Sequence, residues 1–271
     1  MADAFCNQII GVVRFSYPAS NGFRLMGDDH ARRMADLYHP VRLKQRLRLF
    51  EHLTLPSLLA QTEADYSLAV LIGTDLPAWA QGRLAEILAP LANARIIPLP
   101  PLLDQMEAAG QLRRTVLGRS ATHVTEFRLD DDDAIDCAHI ARLKARAAIL
   151  VPMHGLDRPL VIGCNRGLVL TLQDGGNFLT DVTEKLPIGI GLAMTMPRHA
   201  KTGIFRRNHR LLPQFFSTFT DAEVPAFIRT VHATNDSQPH ASGQSQPLTA
   251  DAAQQILAAH FPFDLTDLMA L

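Results

Sequence analysis

The chain has 271 residues, of which 47% are hydrophobic and 20% are charged, and its formal net charge is −1. This length and apolar content are enough for a sizeable core in one large domain. The near-neutral balance excludes a general basic field of the kind that gathers nucleic acid or anionic lipid, so any site for a polyanion must be local.

Targeting signals and cysteine frameworks are also absent from the sequence pattern. The N-terminal segment MADAFCNQ has no long apolar run, and the longest uncharged apolar stretch, 186–197, is too short to span a bilayer. We therefore expect a cytoplasmic protein without a transmembrane segment. Three cysteines, Cys6, Cys137 and Cys164, are widely separated. They indicate neither a disulfide framework nor a thiolate zinc site.

Apolar runs alternate with helical patterns through the first half of the chain. The predicted strands are 9–15, 67–73, 94–99 and 122–129, and the predicted helices are 41–61, 77–91, 102–117 and 135–150. A polar loop is predicted between the first strand and the first helix, and a proline is expected to kink that helix. Such alternation is typical of an α/β fold with a mainly parallel sheet and helices on both faces.

The pattern changes beyond residue 150. Apolar, β-rich pieces at 159–164, 166–173 and 189–196 replace the regular alternation and predict an α+β extension. The polar segment 234–247 is expected to be a loop or linker before a final helix at 249–260.

Four adjacent carboxylates, Asp130, Asp131, Asp132 and Asp133, follow the fourth predicted strand directly. Like charges raise one another's pKa unless a positive charge lies among them, and a divalent cation with oxygen ligands is the simplest partner. Ligands of open α/β sheets bind beyond the carboxyl ends of strands, which is where this cluster stands. The alternative is that these acids cap the helix predicted from Ile135, at its positive dipole end. We further expect that removing one acid relieves repulsion and raises stability when no metal is bound.

Several motifs in order resemble one family of proteins. RLDDDDAI at 128–135 is similar to the R-L-D-x-D-D motif of a family of bacterial rhamnosyltransferases, a branch of the GT-A nucleotide-sugar transferases. The accompanying pieces are RFSYP (14–18), LPSLLAQT (55–62), IGTDLP (72–77) and IRTVHATNDS (228–237). In the last piece, Ala233 and Thr234 stand where the family usually has a glycine. The resemblance covers residues 8–237 and implies a GT-A-like (Rossmann-like) fold.

The resemblance implies one GT-A-like domain over residues 1–271. Within it, residues 1–133 would form the nucleotide-sugar-binding half, 134–236 the acceptor-side half, and 237–271 a linker and C-terminal helix.

The resemblance also implies roles for the acids. Asp130, Asp132 and His232 would hold Mn²⁺ or Mg²⁺, since a neutral imidazole can complete such a site. Asp130 and Asp131 would contact the nucleotide sugar. Asp133 would brace the cluster and is one candidate catalytic residue.

Other residues are expected around the two substrates. Arg14, Asp75 and Arg128 would frame the nucleotide, or else make structural ion pairs, and Arg128 could donate to a phosphate. The catalytic base is left open; the candidates in the second half are Asp221, taken first, with Asp181 and Glu184. The basic stretch FRRNHR (205–210) is expected to form a solvated turn, with His209 as an alternative contact to acceptor or phosphate.

The implied reaction moves a sugar, named rhamnose only by the family, from a nucleotide diphosphate to an acceptor hydroxyl. A natural setting is bacterial surface-polysaccharide synthesis, where a lipid-linked glycan acceptor would bring the enzyme to the membrane surface. Two alternatives remain at this point. An aspartate-dependent phosphatase or phosphotransferase also needs a D-x-D after a strand, although usually after the first strand. A catalytically silent protein could keep the same fold for binding alone.

Overall fold

The computed structural model describes residues 5–20, 30–235 and 242–271. Two β-sheets and surrounding helices make up this part of the chain. The strands are β1 (Asn7–Arg14), β2 (Ser67–Gly73), β3 (Ala94–Leu99), β4 (His123–Asp130), β5 (Ala134–Ile135), β6 (Leu160–Cys164), β7 (Arg166–Thr171), β8 (Phe178–Thr183), β9 (Ala193–Pro197), β10 (Ser217–Asp221), β11 (Phe227–Val231) and β12 (Gln244–Pro247).

The helices flank these strands. They are α1 (His30–Leu37), α2 (Pro40–Leu49), α3 (Leu55–Leu59), α4 (Ala78–Leu88), α5 (Gln105–Val116), α6 (His139–His154), α7 (Ala250–His260) and α8 (Leu265–Met269). A π-helical turn over Phe50–Thr54 joins α2 to α3, and a 3₁₀ helix covers His209–Gln214.

The larger sheet has seven strands in the order β10-β6-β9-β4-β1-β2-β3. Every neighbouring pair is parallel except those that involve β9, so the predicted mainly parallel sheet is confirmed. In the β1–β4 register, Arg14 lies opposite Asp130. The carboxyl ends of the two central strands therefore bring a predicted arginine and the start of the acidic cluster side by side.

The smaller sheet has the order β12-β8-β7-β11-β5. Its two-residue strand β5 begins directly after Asp133 and pairs antiparallel with β11, with Ala134 opposite Ile228. The acidic cluster is thus the crossing between the two sheets. Its position is fixed at one end by β4 and at the other by β5.

Apolar side chains cover both faces of the larger sheet, as an α/β fold requires. On one face Ile9 and Phe127 pack with Leu84 of α4, and on the other Val12 and Met194 pack with Leu112 of α5. These side chains are 0–2% exposed. The predicted placement of helices on both faces is confirmed.

The first long predicted helix contains an irregularity near Pro56. Proline has no N–H to donate, which interrupts the regular i to i−4 pattern. The chain accommodates this with the π-helical turn, where the Leu55 N–H reaches back to the Phe50 carbonyl. The expected kink therefore takes the form of a widened turn just before the proline.

Some local predictions were wrong. The helix predicted from residue 135 begins at His139, because Ala134 and Ile135 pair with β11 instead. The predicted polar loop contains α1, and residues 244–247 of the predicted loop form β12 on the edge of the smaller sheet. Residues 236–241 of that loop lie outside the described part of the chain.

The described ranges also bear on two features that the sequence did not predict, a transmembrane helix and a disulfide framework. No helix there is both long enough and apolar enough to cross a membrane. Cys6, Cys137 and Cys164 are all free thiols.

Candidate functional site

The four aspartates line a cleft of about 690 Å³ at the carboxyl edge of the larger sheet. The other walls come from the start of the chain, from α2, from residues 188–190, from the basic stretch after Phe205 and from β11. The cleft therefore joins both halves of the sequence around one acidic loop.

Asp130 lies between two arginines. Arg14 Nη2 donates to Asp130 Oδ1 at 3.0 Å, and Arg128 Nη2 lies 3.9 Å from Asp130 Oδ2. Burial raises the pKa of Asp130, but the charges of Arg14 and Arg128 outweigh it, so its pKa is lowered overall. The carboxylate is therefore ionised at neutral pH, and with 37% of its side chain exposed it still faces the cleft.

The two arginines share an aromatic platform. The guanidinium carbons of Arg14 and Arg128 each lie 5.3 Å from the centre of the Phe205 ring. Arg128 is 9% exposed, and its Nε has no hydrogen-bond partner among the described residues. Burial lowers the pKa of Arg128 to about 10, which leaves it protonated at pH 7. A buried guanidinium with an unused donor at a cleft is suited to bind an anion.

Asp131 points into the protein rather than across the cleft. Its Oδ1 accepts a hydrogen bond from Arg46 Nη1 at 2.8 Å, and its Oδ2 accepts one from the Ser16 backbone N–H at 3.2 Å. Arg42 in turn donates to Ser16 Oγ at 3.0 Å. Burial raises the pKa of Asp131 to about 6 despite the charge of Arg46. Asp131 therefore ties the acidic loop to α2 and to the end of β1.

Three side chains converge on one oxygen of Asp132. Arg46 Nη1 lies 2.5 Å from Oδ2, His232 Nε2 lies 3.0 Å from it, and Asn235 Nδ2 donates to it at 3.2 Å. Burial raises the pKa of Asp132, but the effects of Arg46 and His232 are larger and in the opposite direction. The pKa of Asp132 is therefore lowered overall, to about 2. The predicted partnership of Asp132 with His232 is thus present in the geometry.

Asp133 fastens the cluster to β11. Its Oδ1 accepts from the Thr230 backbone N–H at 2.9 Å, and Thr230 Oγ1 donates to the Asp132 carbonyl at 2.7 Å. Burial and the charges of Asp132 and Asp130 hold the pKa of Asp133 well above its usual range. Asp133 and Thr230 therefore hold the acidic loop against β11.

The alternative to the metal-site prediction, that the cluster caps a helix, does not agree with the structure. Helix α6 begins at His139, and the acid nearest to its start is Asp136, whose Oδ1 accepts from the Ala138 N–H at 3.0 Å. Asp130, Asp131, Asp132 and Asp133 instead bond to β1, α2 and β11.

Fewer side chains than predicted lie close enough together to hold a metal ion. Within residues 5–20, 30–235 and 242–271, no group of three or more His, Cys, Asp or Glu side chains is arranged to hold a metal ion. Asp132 Oδ2 and His232 Nε2, 3.0 Å apart, are separated like neighbouring ligands of an octahedral ion with bonds of about 2.1 Å. Two donors suit a cation that takes its other ligands from water and phosphate, although Arg46 contacts the same oxygen.

Two predicted residues lie apart from the cleft lining. Asp75 is exposed, and its carboxylate accepts from the Tyr38 hydroxyl at 2.8 Å. Asp221 is ion-paired with Arg146 and accepts from the Glu223 N–H at 2.8 Å. Asp221 ends β10, three strands from β4, which corresponds to about 14 Å. The structure thus gives both acids local structural partners.

The two further candidate bases also have partners. Asp181 receives two hydrogen bonds from Arg166, at 2.8 and 3.2 Å. Glu184 accepts from the Ser242 backbone N–H at 3.0 Å and lies 3.7 Å from Arg210. Neither acid lines the described part of the cleft, although Arg210 does.

The basic stretch was predicted to be a solvated turn, and the structure places it on the cleft wall. Arg206, Arg207, His209 and Arg210 all line the cleft. Burial and the charge of Arg128 lower the pKa of His209 to about 3, so its imidazole is neutral at pH 7. Residues 206–208 are exposed in a turn, as predicted, and side chains of this stretch also line the cleft.

Sequence reasoning missed Arg46, Arg42 and Asn235. Arg46 and Arg42 are two of several basic residues in an amphipathic helix, and no local pattern separates them from solvated ones. Asn235 carried a usable signal, since it falls in the motif that follows His232.

Comparison with known proteins found one matching family and several similar solved structures. Residues 8–244 match the family described as "Putative rhamnosyl transferase". No curated protein matches the chain. Among solved structures, S. aureus TarS aligns at 10% identity and a TM-score of 0.44, over 83% of this chain and 37% of TarS. TarS 1-349 with UDP aligns at 10% identity and a TM-score of 0.44, over 83% and 60% of the two chains. TarS 1-349 with UDP-GlcNAc gives 11% identity, a TM-score of 0.43, and 83% and 59% coverage.

The chain thus spans less than two thirds of the TarS chains that it resembles. The family match, in contrast, runs from the first strand to the edge strand β12 and includes all four aspartates, His232 and Asn235. The chain therefore belongs to the family described as "Putative rhamnosyl transferase".

Proposed function

We propose that the protein transfers a sugar from a nucleotide diphosphate donor to an acceptor hydroxyl, in a reaction that depends on Mn²⁺ or Mg²⁺. The observation that supports the proposal is the contact between Asp132 and His232, 3.0 Å apart, because Asp132 lines the same cleft as Arg14 and Arg128 while the nearly buried His232 lies behind it. Family membership makes glycosyl transfer the reaction class.

In this proposal the diphosphate lies against Arg14 and Arg128. Their guanidinium groups are held in place by Phe205 and by Asp130, so little freedom is lost when a phosphate binds. Arg128 also has an unused Nε donor. These cations would stabilise the negative charge that develops on the departing diphosphate.

Asp130 would face the ribose of the donor. It is ionised and partly exposed, and ion pairs with Arg14 and Arg128 fix its carboxylate. A fixed carboxylate can accept hydrogen bonds from sugar hydroxyl groups. Asp131 and Asp133 would keep the loop in this position through Arg46, Ser16 and Thr230.

Asp132 and His232 would hold the divalent ion, with phosphate oxygens and water as the remaining ligands. The ion would add a positive charge next to the leaving group. Because Arg46 contacts the same carboxylate oxygen, the chain itself neutralises Asp132 until the ion arrives. In this role the His232 imidazole would bind the ion in its neutral form.

The family description suggests a donor sugar, and bacterial surface-polysaccharide synthesis is the setting that we propose for it. Nucleotide-activated rhamnose is the first donor to test, and a glycan of the bacterial cell surface, free or lipid-linked, is the corresponding acceptor. The chain would then act on the cytoplasmic side of the membrane, where nucleotide sugars are made.

The test is calorimetric titration with UDP, GDP and dTDP, each with and without Mn²⁺. We expect at least one nucleotide to bind at least tenfold more tightly with the ion present, and Asp132→Asn and His232→Gln to abolish that gain. Asp174→Asn, in an exposed turn, is the matched control. Nucleotide binding that is equally tight with and without Mn²⁺ would contradict metal dependence, and hydrolysis of the matching nucleotide sugar would then test transfer separately.

A further inference from the structure

Among the described residues, the lining of the cleft carries more positive charge than its acids neutralise. Its described lining contains eight arginines and four aspartates, which leaves a formal excess of four positive charges. Arg210 lies 3.7 Å from Glu184, outside the lining, so three remain. Clustered like charges repel one another in the absence of a partner, so an excess of this kind indicates an anionic ligand.

The arginines of the nucleotide-binding half already have partners within the protein. Arg14 bonds to Asp130, Arg46 bonds to Asp131 and Asp132, and Arg42 donates to Ser16 and to the Leu37 carbonyl. The excess therefore does not lie on this wall.

The excess is carried by the second half of the chain, at Arg206, Arg207 and Arg229. None of the three has a carboxylate within 4 Å in the described ranges. Arg206 and Arg207 are exposed at the mouth of the cleft, whereas Arg229, on β11, is only partly exposed and acts electrostatically on Asp133. Charge thus extends from the mouth toward the acidic loop.

Arg207 is also held in place by an aromatic ring. Its guanidinium carbon lies 4.6 Å from the centre of the Phe215 ring, and that ring is 54% exposed. Stacking keeps a guanidinium pointed outward while leaving its N–H donors available. A solvated surface arginine needs no such support.

The donor does not account for this charge. In the proposed function the donor diphosphate lies against Arg14 and Arg128, and the divalent ion matches its negative charge. The remaining candidate for the anionic ligand is the second substrate, the acceptor. We propose, on the basis of that function, that the acceptor is an acidic saccharide whose phosphate or carboxylate group binds Arg206, Arg207 and Arg229.

The experiment uses three monosaccharides that differ only at carbon 6: glucose, glucuronate and glucose 6-phosphate. Each is titrated by saturation-transfer NMR into the full chain with Mg²⁺ and saturating pyrophosphate present, so that the donor phosphate site is occupied. We expect glucuronate, glucose 6-phosphate or both to bind at least tenfold more tightly than glucose. Preference for one of the two identifies carboxylate or phosphate as the recognised group.

Substitutions of the three arginines test where the charged sugar binds. Arg206→Gln combined with Arg207→Gln, and Arg229→Gln alone, should each weaken binding of the charged sugar at least fivefold. Arg95→Gln removes the same charge from an exposed position on the edge strand β3 and should leave it unchanged. Equal binding of the three sugars, or charged-sugar binding that the variants do not weaken, overturns the proposal.

Two further measurements distinguish an acceptor site from the donor site and from a membrane-binding surface. If pyrophosphate displaces the charged sugar, the sugar occupied the donor site, and the proposal fails. If the double variant loses binding only to phosphatidylglycerol vesicles, with no preference among the small sugars, the arginines serve a membrane surface and the proposal also fails. Charged-sugar binding that persists in Asp132→Asn, in which the Mn²⁺-dependent gain in nucleotide affinity is lost, shows that the failure of one proposal can be distinguished from the failure of the other.

Discussion

Arg46 and Asp132 form an ion pair that is almost completely buried. Nη1 of the arginine lies 2.5 Å from Oδ2 of the aspartate, and the side chains are 4% and 5% exposed. The same nitrogen lies 2.8 Å from Asp131. One cation from α2 therefore contacts two of the four adjacent acids, which lowers the cost of burying the loop.

Replacement of Arg46 should be strongly destabilising. Arg46→Met would leave Asp131 and Asp132 buried without their principal cation, at a cost of about 3–5 kcal/mol in the free energy of unfolding. Urea denaturation at pH 7 measures this. Arg46→Lys keeps the positive charge but replaces the planar guanidinium by a single ammonium group. It should therefore lose less stability than Arg46→Met. Equal stability of wild type and Arg46→Met would show that the acids have another source of compensation.

Asp132→Asn tests whether the cluster is stabilising or strained. We expected from the sequence that removing an acid relieves repulsion, but Arg46 and His232 lower the pKa of Asp132 to about 2. A carboxylate with a lowered pKa adds stability that is present above its unfolded pKa of about 3.9 and is lost as pH falls toward 2.

The variant should therefore be less stable than wild type at pH 7, by about 2 kcal/mol. Its stability should also fall less steeply than that of wild type between pH 5 and pH 2. Thermal unfolding with chelator present, followed across this range, gives both quantities. A variant that melts higher than wild type at pH 7 would restore the repulsion argument.

The sequence located the site but not its internal partners. An apolar strand followed by four acids is a local pattern, and parallel strands bring their carboxyl ends to one edge, so Asp130 and Arg14 were predictable neighbours. His232 was found through its motif. Arg46 was not, because its contact depends on how α2 packs across the end of β1. The role of residues 205–210 likewise depends on tertiary placement, since a basic stretch has the same composition in solvent and in a cleft.

Glu126 should make stability fall as the pH rises through neutrality. This residue of β4 is 0% exposed, and burial raises its pKa to about 7 although Arg113 Nη1 lies 3.1 Å away. A raised pKa gives stability that is complete below the unfolded value, near 4.3, and is lost as pH rises through about 7.

The free energy of unfolding of wild type should thus decline relative to that of Glu126→Gln between pH 5 and pH 8. Glu107→Gln, at an exposed position on α5, is the control and should follow wild type. Parallel curves for wild type and Glu126→Gln would mean that Arg113 keeps the carboxylate ionised throughout.

His139 should produce the opposite dependence, on the acid side. The first residue of α6 is 3% exposed, its ring lies against Phe127 with centroids 5.5 Å apart, and neither ring nitrogen makes a hydrogen bond of normal geometry with the described residues. Burial, with the charges of Arg142 and Arg146, lowers its pKa to about 3. The imidazole therefore stays neutral in the folded protein at pH values where the unfolded chain is already protonated.

A lowered histidine pKa gives stability that is complete above the unfolded value of about 6.5 and is lost as pH falls toward 3. Between pH 6.5 and pH 5 this loss amounts to about 2 kcal/mol for a single histidine. His139→Gln should remove that part of the acid dependence, whereas His199→Gln, at an exposed position, should retain it. Urea titrations at half-unit pH intervals separate the two variants, and an unchanged acid slope in His139→Gln would place a hydrogen-bond acceptor or water beside the ring.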